Sequence, residues 1–387
     1  MKKVALVSLA LGVFAAALSV VSALMLPMKG ASGADSPPGG DVSIPQETRA
    51  PITQPQPGEA DARVSVRVKD GETVREMSMF EYLVGAVAGE MPASFEPEAL
   101  RAQAAAARTY VWYNISVAEP KKHENADVCT DSTCCAAFSS DETLREKWGA
   151  EYEQNLAKLR AAVADTDGIF ITYDSQPILA AFHASSYGST ESAADVWQGA
   201  KPYLISVPSP ETEEDAPGLI SAVTISLKDF KETASKALPD AVFGDDAGTW
   251  ITDITYDDAG RVASLKIGGV KMTGAGVRAM LGLRSTAVTI QISSDGAAGS
   301  EGSGNIVFTT AGYGHGVGMS QYGANVMAKN GSGWRDIIKA YYTGAALSDE
   351  PLAGLFANAV TLSLSEAPPK PHTLRQIAPR DGSSPRR

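Results

Sequence analysis

The sequence predicts an α+β protein. Mixed helices and antiparallel strands form a main domain, a smaller α/β subdomain is inserted into it, and one transmembrane helix precedes both. Three observations carry this expectation. Residues 81–114, EYLVGAVAGEMPASFEPEALRAQAAAARTYVWYN, read as two helices joined by a turn, and Arg63 to Lys69 alternates as a strand does. Residues 208–290 change in texture, with charged turns between short strand and helix patterns, as an insertion would. Residues Val4 to Met28 carry no charge and are almost wholly apolar.

That first run exceeds the roughly 7–15 residue apolar core of a signal peptide and reaches the about 20 residues that span a bilayer. Residues 1–28 are therefore expected to be an uncleaved membrane anchor, with a cleaved signal peptide as the alternative. Lys2 and Lys3 place the N-terminus in the cytoplasm and the body on the exported side. Residues 29–62 are rich in Pro, Gly, Ser and Asp and read as a disordered linker, as does the tail 364–387. The main domain is expected over 63–207 and 291–363. A net charge of −12 argues against nucleic acid as the partner.

Within the main domain, Gly71 turns the first strand towards a helix near Ser78. Gly89 and Pro92 break the apolar pattern around Glu90, which places that carboxylate where a helix stops. Pro97 suits the first turn of a second helix, nearly all alanine inside, from which Arg101, Gln103 and Arg108 stand out. A carboxylate facing an Arg-bearing helix fits an acid/base site and a buried salt bridge equally well. Leu144 to Ala164 reads as one charged amphipathic helix. Gly168 to Tyr173 begins a strand, and Ile178 to Ala181 reads as another. VTIQIS (288–293) is expected to return the chain to the main body. After a Gly/Ser loop (295–305) and a strand from Ile306, helices follow from about Ala324 and over Trp334 to Tyr342, the last capped at Gly344.

Three motifs stand out. GYGHGVGMSQYGA (312–324) holds five glycines in its first dozen residues around His315. It fits a packing turn or a loop lining a groove, with His315, Ser320 and Gln321 offering hydrogen bonds. A dinucleotide loop is rejected, because no acidic residue follows at the required spacing. FHASSYGSTE (182–191) lacks the G-x-S-x-G elbow of serine hydrolases, so Ser185 and Ser186 are expected to face a ligand rather than act as nucleophiles. All three cysteines fall within Cys129 to Cys135, with His123 just upstream. A tetrahedral zinc site of His123, Cys129, Cys134 and Cys135 uses every sulfur, while a disulfide leaves one odd thiol. Spacing alone leaves both open. No H-E-x-x-H is present, which disfavours a zinc peptidase.

AGEMPASFEPEALRAQAAAARTY, FHASSYGSTESAADVW with PYLISV, and GYGHGVGMSQYGA, in this order, resemble the stage II sporulation protein D family over roughly 63–345. The resemblance implies a membrane-anchored peptidoglycan lytic transglycosylase acting in engulfment, on the mother-cell membrane facing the forespore. It implies Glu90, in the E-M-P motif, as the catalytic acid. It further implies Arg108, His183, Ser185, Ser186, Tyr203, His315, Ser320, Gln321 and Tyr322 as groove or substrate-binding residues. No cofactor is implied for catalysis. Some members carry a zinc site, which tilts the His123/Cys129/Cys134/Cys135 cluster towards metal. The implied partners are glycan strands, an amidase and a multi-spanning membrane protein. The chemistry so implied requires Glu90 to arrive protonated, with Arg108 near it but bound to substrate or to a second acid.

Overall fold

A computed structural model describes residues 52–197, 199–294 and 304–348, all within one compact unit spanning Pro51–Arg387. The expected anchor, the linker up to residue 51 and the tail lie outside the described residues. Among the described residues no helix is long and apolar enough to cross a membrane.

The body begins earlier than residue 63. A short helix α1 (Glu59–Ala62) is held by the carboxylate of Asp167, which accepts from the Ala60 and Asp61 amides. Asp61 itself is buried. This is where the linker expectation fails. A polar stretch with no core of its own is held by side chains distant in sequence: Asp167 on its amides, Arg160 on the Pro55 carbonyl and Arg108 on Asp61. Then come the antiparallel hairpin β1 (Ser65–Asp70) and β2 (Thr73–Ser78), and helix α2 (Met79–Glu90), whose N-cap Ser78 accepts from the Glu81 amide. The alanine-rich helix α3 (Pro97–Ser116) starts with proline in its first turn, as expected. Two-residue β3 (Val128–Cys129) adds to β1 in parallel.

The expected helix over 144–164 is two helices, α4 (Asp141–Trp148) and α5 (Tyr152–Ala164). They are separated at Gly149, whose φ of 49° lies outside the helical region. Strand β4 (Phe170–Tyr173) pairs with β5 (Gln176–Pro177). The expected strand at 178–181 is an irregular buried segment leading into β6 (Phe182–His183), and helix α6 (Ala193–Val196) follows.

The insertion runs β7 (Ile220–Ser226), α7 (Leu227–Ala237), β8 (Ile251–Tyr256), β9 (Val262–Ile267), β10 (Val270–Thr273), α8 (Gly274–Leu281), β11 (Val288–Ser294) and β12 (Gly304–Ala311). Its sheets, ordered β10-β9-β8 and β11-β12-β7, are antiparallel throughout, so the expected α/β subdomain is of α+β type. It also extends past residue 290. Ile290 opposes Phe308, Phe308 opposes Val223, and Phe308 and Ile306 are buried with Leu227, Phe230 and Trp250 in a second core. The alternation of VTIQIS identified a strand, but its one partner is β12 of the insertion, and periodicity does not name partners.

The chain then re-enters the main body through β13 (Met319–Ser320), parallel to β6, and helices α9 (Gln321–Lys329) and α10 (Trp334–Tyr341). Strand β14 (Ala346–Ser348) pairs with β4. In the main core α3 is central and packs against α2, α5, α9 and α10. Its buried face, including Ala99, Ala102 and Ala104 to Ala107, lets these helices approach closely.

Candidate active-site cleft

Glu90 is the last residue of α2 and lies in a cleft of about 300 Å³ with Phe95, Ser185, Gln321 and Tyr322. The far wall comes from the entrance and edge of the insertion: Pro217, Gly218, Arg284 and Tyr313. Glu90 is the sole carboxylate among the described residues lining this cleft. Its two oxygens are held separately. Oε1 accepts from the Ala137 amide at 2.6 Å and Oε2 from Gln321 Nε2 at 2.9 Å. Burial raises the pKa of the carboxyl, and the two donors, which favour the charged form, oppose this without cancelling it.

The Ala137 amide reaches Glu90 because α2 is shaved on one face. A Cβ on Gly89 would sit 2.7 Å from the Ala137 carbonyl group, and one on Gly85 would sit 2.3 Å from the Phe138 ring. Gly89 thus acts by close approach, and the helix stops at Glu90 as expected.

Gln321 is placed by a network beneath the cleft. Ser320 caps α9, accepting from the Gly323 amide, and donates its hydroxyl to Glu211. Buried Glu211 also accepts from the Ser186 amide and from Ser209 Oγ at 2.6 Å. Since the Ser209 proton is committed to Glu211, Tyr341 OH donates to Ser209 at 2.8 Å. Gly323 leaves the room for this: a Cβ there would meet the Tyr341, Ser209 and Glu211 oxygens at 2.1–2.6 Å. His183 Nδ1 faces the Val317 carbonyl at 3.3 Å and so carries the proton, leaving Nε2 to accept from Ser186 Oγ at 2.6 Å. Full burial depresses its pKa well below the ordinary imidazole value, and the ring stays neutral.

The expected site residues therefore divide. Ser185, Gln321 and Tyr322 share the cleft with Glu90. His183, Ser186 and Ser320 are buried beneath it and hold backbone and helix cap, so they do not face a ligand. His315 lines a neighbouring cavity of about 440 Å³ with Trp197, Tyr110, Lys122 and the Cys134/Cys135 segment. There burial brings its pKa down to about 4, and its Nδ1 accepts from the Val317 amide. Tyr203 is buried and accepts the Leu179 amide through its hydroxyl, which corrects the expectation that it shapes the groove.

Arg108 is corrected too. It is fully buried, paired with Asp61 at 2.6 Å, and donates to Thr166 Oγ1 and to the Val163 and Ile169 carbonyls. The second acid is thus Asp61, and Arg108 closes the C-terminus of α5 instead of touching substrate. The sequence reading missed Glu211, Arg284 and Tyr313 as site residues. Glu211 lies in the charged run PETEED, and Arg284 follows a helix-ending glycine; each looks like a solvated surface residue.

His123 Nε2 and the three sulfurs lie within 4.8 Å of one another. His123 Nε2 is 3.4 Å from Cys135 Sγ and 3.6 Å from Cys134 Sγ, and the Cys134 and Cys135 sulfurs are 3.9 Å apart. Tetrahedral zinc with bonds of about 2.0–2.3 Å places its ligands about 3.5–3.8 Å apart; the His123, Cys134 and Cys135 spacings lie close to this, and the four-atom set reaches to 4.8 Å. All three cysteines are free, so the disulfide alternative is not what this structure contains.

A family model described as Stage II sporulation protein matches residues 68–173. Stage II sporulation protein D of Bacillus amyloliquefaciens is 36% identical over 335 residues, covering 86% of this chain and 92% of that protein. The Bacillus subtilis (strain 168) protein of the same name is 36% identical over 319 residues, covering 80% of this chain and 87% of that protein. The Amidase enhancer of Bacillus subtilis (strain 168) is 28% identical over 314 residues, covering 69% of this chain and 40% of that protein.

Proposed function

The chain belongs to the stage II sporulation protein D family, and from that premise we propose that it is a lytic transglycosylase cleaving peptidoglycan glycan strands without hydrolysis. One observation carries the reading: a single carboxylic acid, raised in pKa by burial and held by two donors, with no second carboxylate among the described residues lining its cleft. A two-carboxylate glycosidase needs an acid and a separate nucleophile or base. A transglycosylase needs one group, used twice.

Protonated Glu90 delivers its proton to the glycosidic oxygen as the C–O bond breaks. The oxocarbenium-like carbon is captured by the 6-hydroxyl of the same sugar, and Glu90 carboxylate takes the hydroxyl proton. The product is a 1,6-anhydro end, and Glu90 is protonated again. The Ala137 and Gln321 donors fix the carboxyl between the two transfers and stabilise its anionic stage. Arg108, paired elsewhere, leaves the acid free to hold its proton.

His123, Cys129, Cys134 and Cys135 would hold a structural zinc ion, a cross-link that leaves no open position for water when bound. Attachment to the mother-cell membrane through residues 1–28 completes the proposal.

The test is digestion of purified glycan strands by the full-length chain, read by mass spectrometry. Anhydro ends are expected from the native protein, and Glu90→Gln should lose about 10²–10⁴-fold in rate. Equal rates would remove Glu90 from the mechanism. A second reading, a glycan-binding scaffold that stimulates an amidase, draws support from the relative named Amidase enhancer. It predicts glycan binding with no anhydro product from either protein.

A further inference from the structure

We propose that the insertion's side of the cleft is a carboxylate-binding subsite, with Arg284 as its reader and Tyr313 as its platform. The proposal rests on the glycan-cleaving reading for the identity of the ligand and on the following geometry for the site. Arg284 is the one cation among the described residues that line the cleft holding Glu90. Its guanidinium carbon stands 5.1 Å from the centre of the Tyr313 ring, and Nη1 donates to the Gly218 carbonyl at 3.0 Å. Gly218 admits it closely: a Cβ there would come within 2.6 Å of Nη1. The planar group is thus held by a ring and a carbonyl, both neutral.

What it lacks is a counter-ion. Among the described residues no carboxylate lies within ion-pair distance of Arg284, whereas Arg63, Arg75, Arg101, Arg108, Arg145 and Arg160 each have one. Among the described residues Arg278 and Arg335 also have no ion pair, but Arg284, although exposed, is the one that lines the cleft. Apart from the bond to Gly218, its N–H groups have no hydrogen-bond partner among the described residues. A guanidinium with an open edge matches a carboxylate by two parallel hydrogen bonds. Half-exposed Tyr313 supplies a flat apolar face beside it for the sugar ring.

In a glycan strand of peptidoglycan every second sugar bears a lactyl ether. Its carboxyl is a free carboxylate when the peptide is absent. When the peptide is present that carboxyl is an amide, and the nearest carboxylates belong to the peptide stem. Either source offers the same chemistry to Arg284.

The experiment measures binding by the full-length chain carrying Glu90→Gln, so that nothing is turned over. Three ligands are titrated: peptide-free glycan fragments, the same fragments with the lactyl carboxyl reduced to the alcohol, and peptide-bearing fragments. One of the two acidic ligands is expected to bind about tenfold or more tighter than the reduced one. The peptide-free fragment leading assigns the lactyl group; the peptide-bearing one leading assigns the stem. Adding Arg284→Gln should erase that preference, and Arg284→Lys should keep part of it with greater salt sensitivity. Equal binding of all three ligands by the parent, which involves no change at Arg284, overturns the proposal. Because no cleavage is read, loss of the transglycosylase reading leaves this result standing. Confirmed cleavage with no carboxylate preference defeats this proposal alone.

Discussion

Two residues carry opposite lessons about charge. Glu90 was legible because Gly89 and Pro92 bracket it at a helix end, whereas the two donors that hold it come from 47 and 231 residues away and leave no local trace. Replacing Gln321 by Leu removes one donor that favours the carboxylate, so the Glu90 pKa should rise further. Activity that requires the protonated acid falls as pH passes that value. The alkaline limb of kcat/KM should therefore move to higher pH in Gln321→Leu, as a pH–rate profile will show. Arg108 was legible as an unusual residue but not as a structural one, since its partner Asp61 sits in a segment that reads as linker. Arg108→Met leaves Asp61 buried without its counter-charge and should cost about 3–5 kcal/mol of stability, measured by urea denaturation, whereas the paired change with Asp61→Asn should cost less.

At the scale of elements, helix propensity and close packing make opposed demands on α2. Propensity alone says Gly89→Ala should gain up to about 1 kcal/mol. A Cβ 2.7 Å from backbone atoms of Ala137 reverses that sign, because backbone pinned by the Cys134/Cys135 segment cannot yield as a flexible side-chain tip can. Gly89→Ala is expected to lower both the melting temperature and the turnover rate, since the displaced segment carries the amide bound to Glu90. The Gly-rich loop obeys the same rule. At Gly318, φ is 74° and a Cβ would fall 2.1 Å from the Ala181 carbonyl oxygen, so the loop packs onto the segment that leads into β6. The two meanings offered by the composition, packing turn and groove lining, are both realised: Gly318 packs, and Tyr313 lines. Composition announces tight backbone without saying which residues of the loop face out.

For the whole molecule, the two hydrophobic cores are joined by a buried pair, Arg261 of the insertion and Glu191 of the main body. Burial pushes the Glu191 carboxyl up from an ordinary 4.5 to about 7, against the pull of Arg261. A folded-state pKa above the unfolded one gives stability that is complete below about 4.5 and is lost as pH rises through 7. Glu191→Gln should flatten the change in urea midpoint between those values. The pair could not be read from sequence, because Glu191 lies in an isolated bridge to Val317 and Arg261 in the bend before β9, and neither position names its partner. Chelation should also lower the melting temperature if His123 and the cysteines hold zinc, with the loss reversed by added metal. The separation of Glu90 from Gln321 has a consequence in time. A ribosome delivers the acid early and its donor 231 residues later, after the entire insertion that forms the opposite wall. A nascent chain halted before residue 321 holds the acid but neither the donor nor the helix that presents it. The cleft that surrounds the acid is thus complete only once residues 321 and 322 have been made.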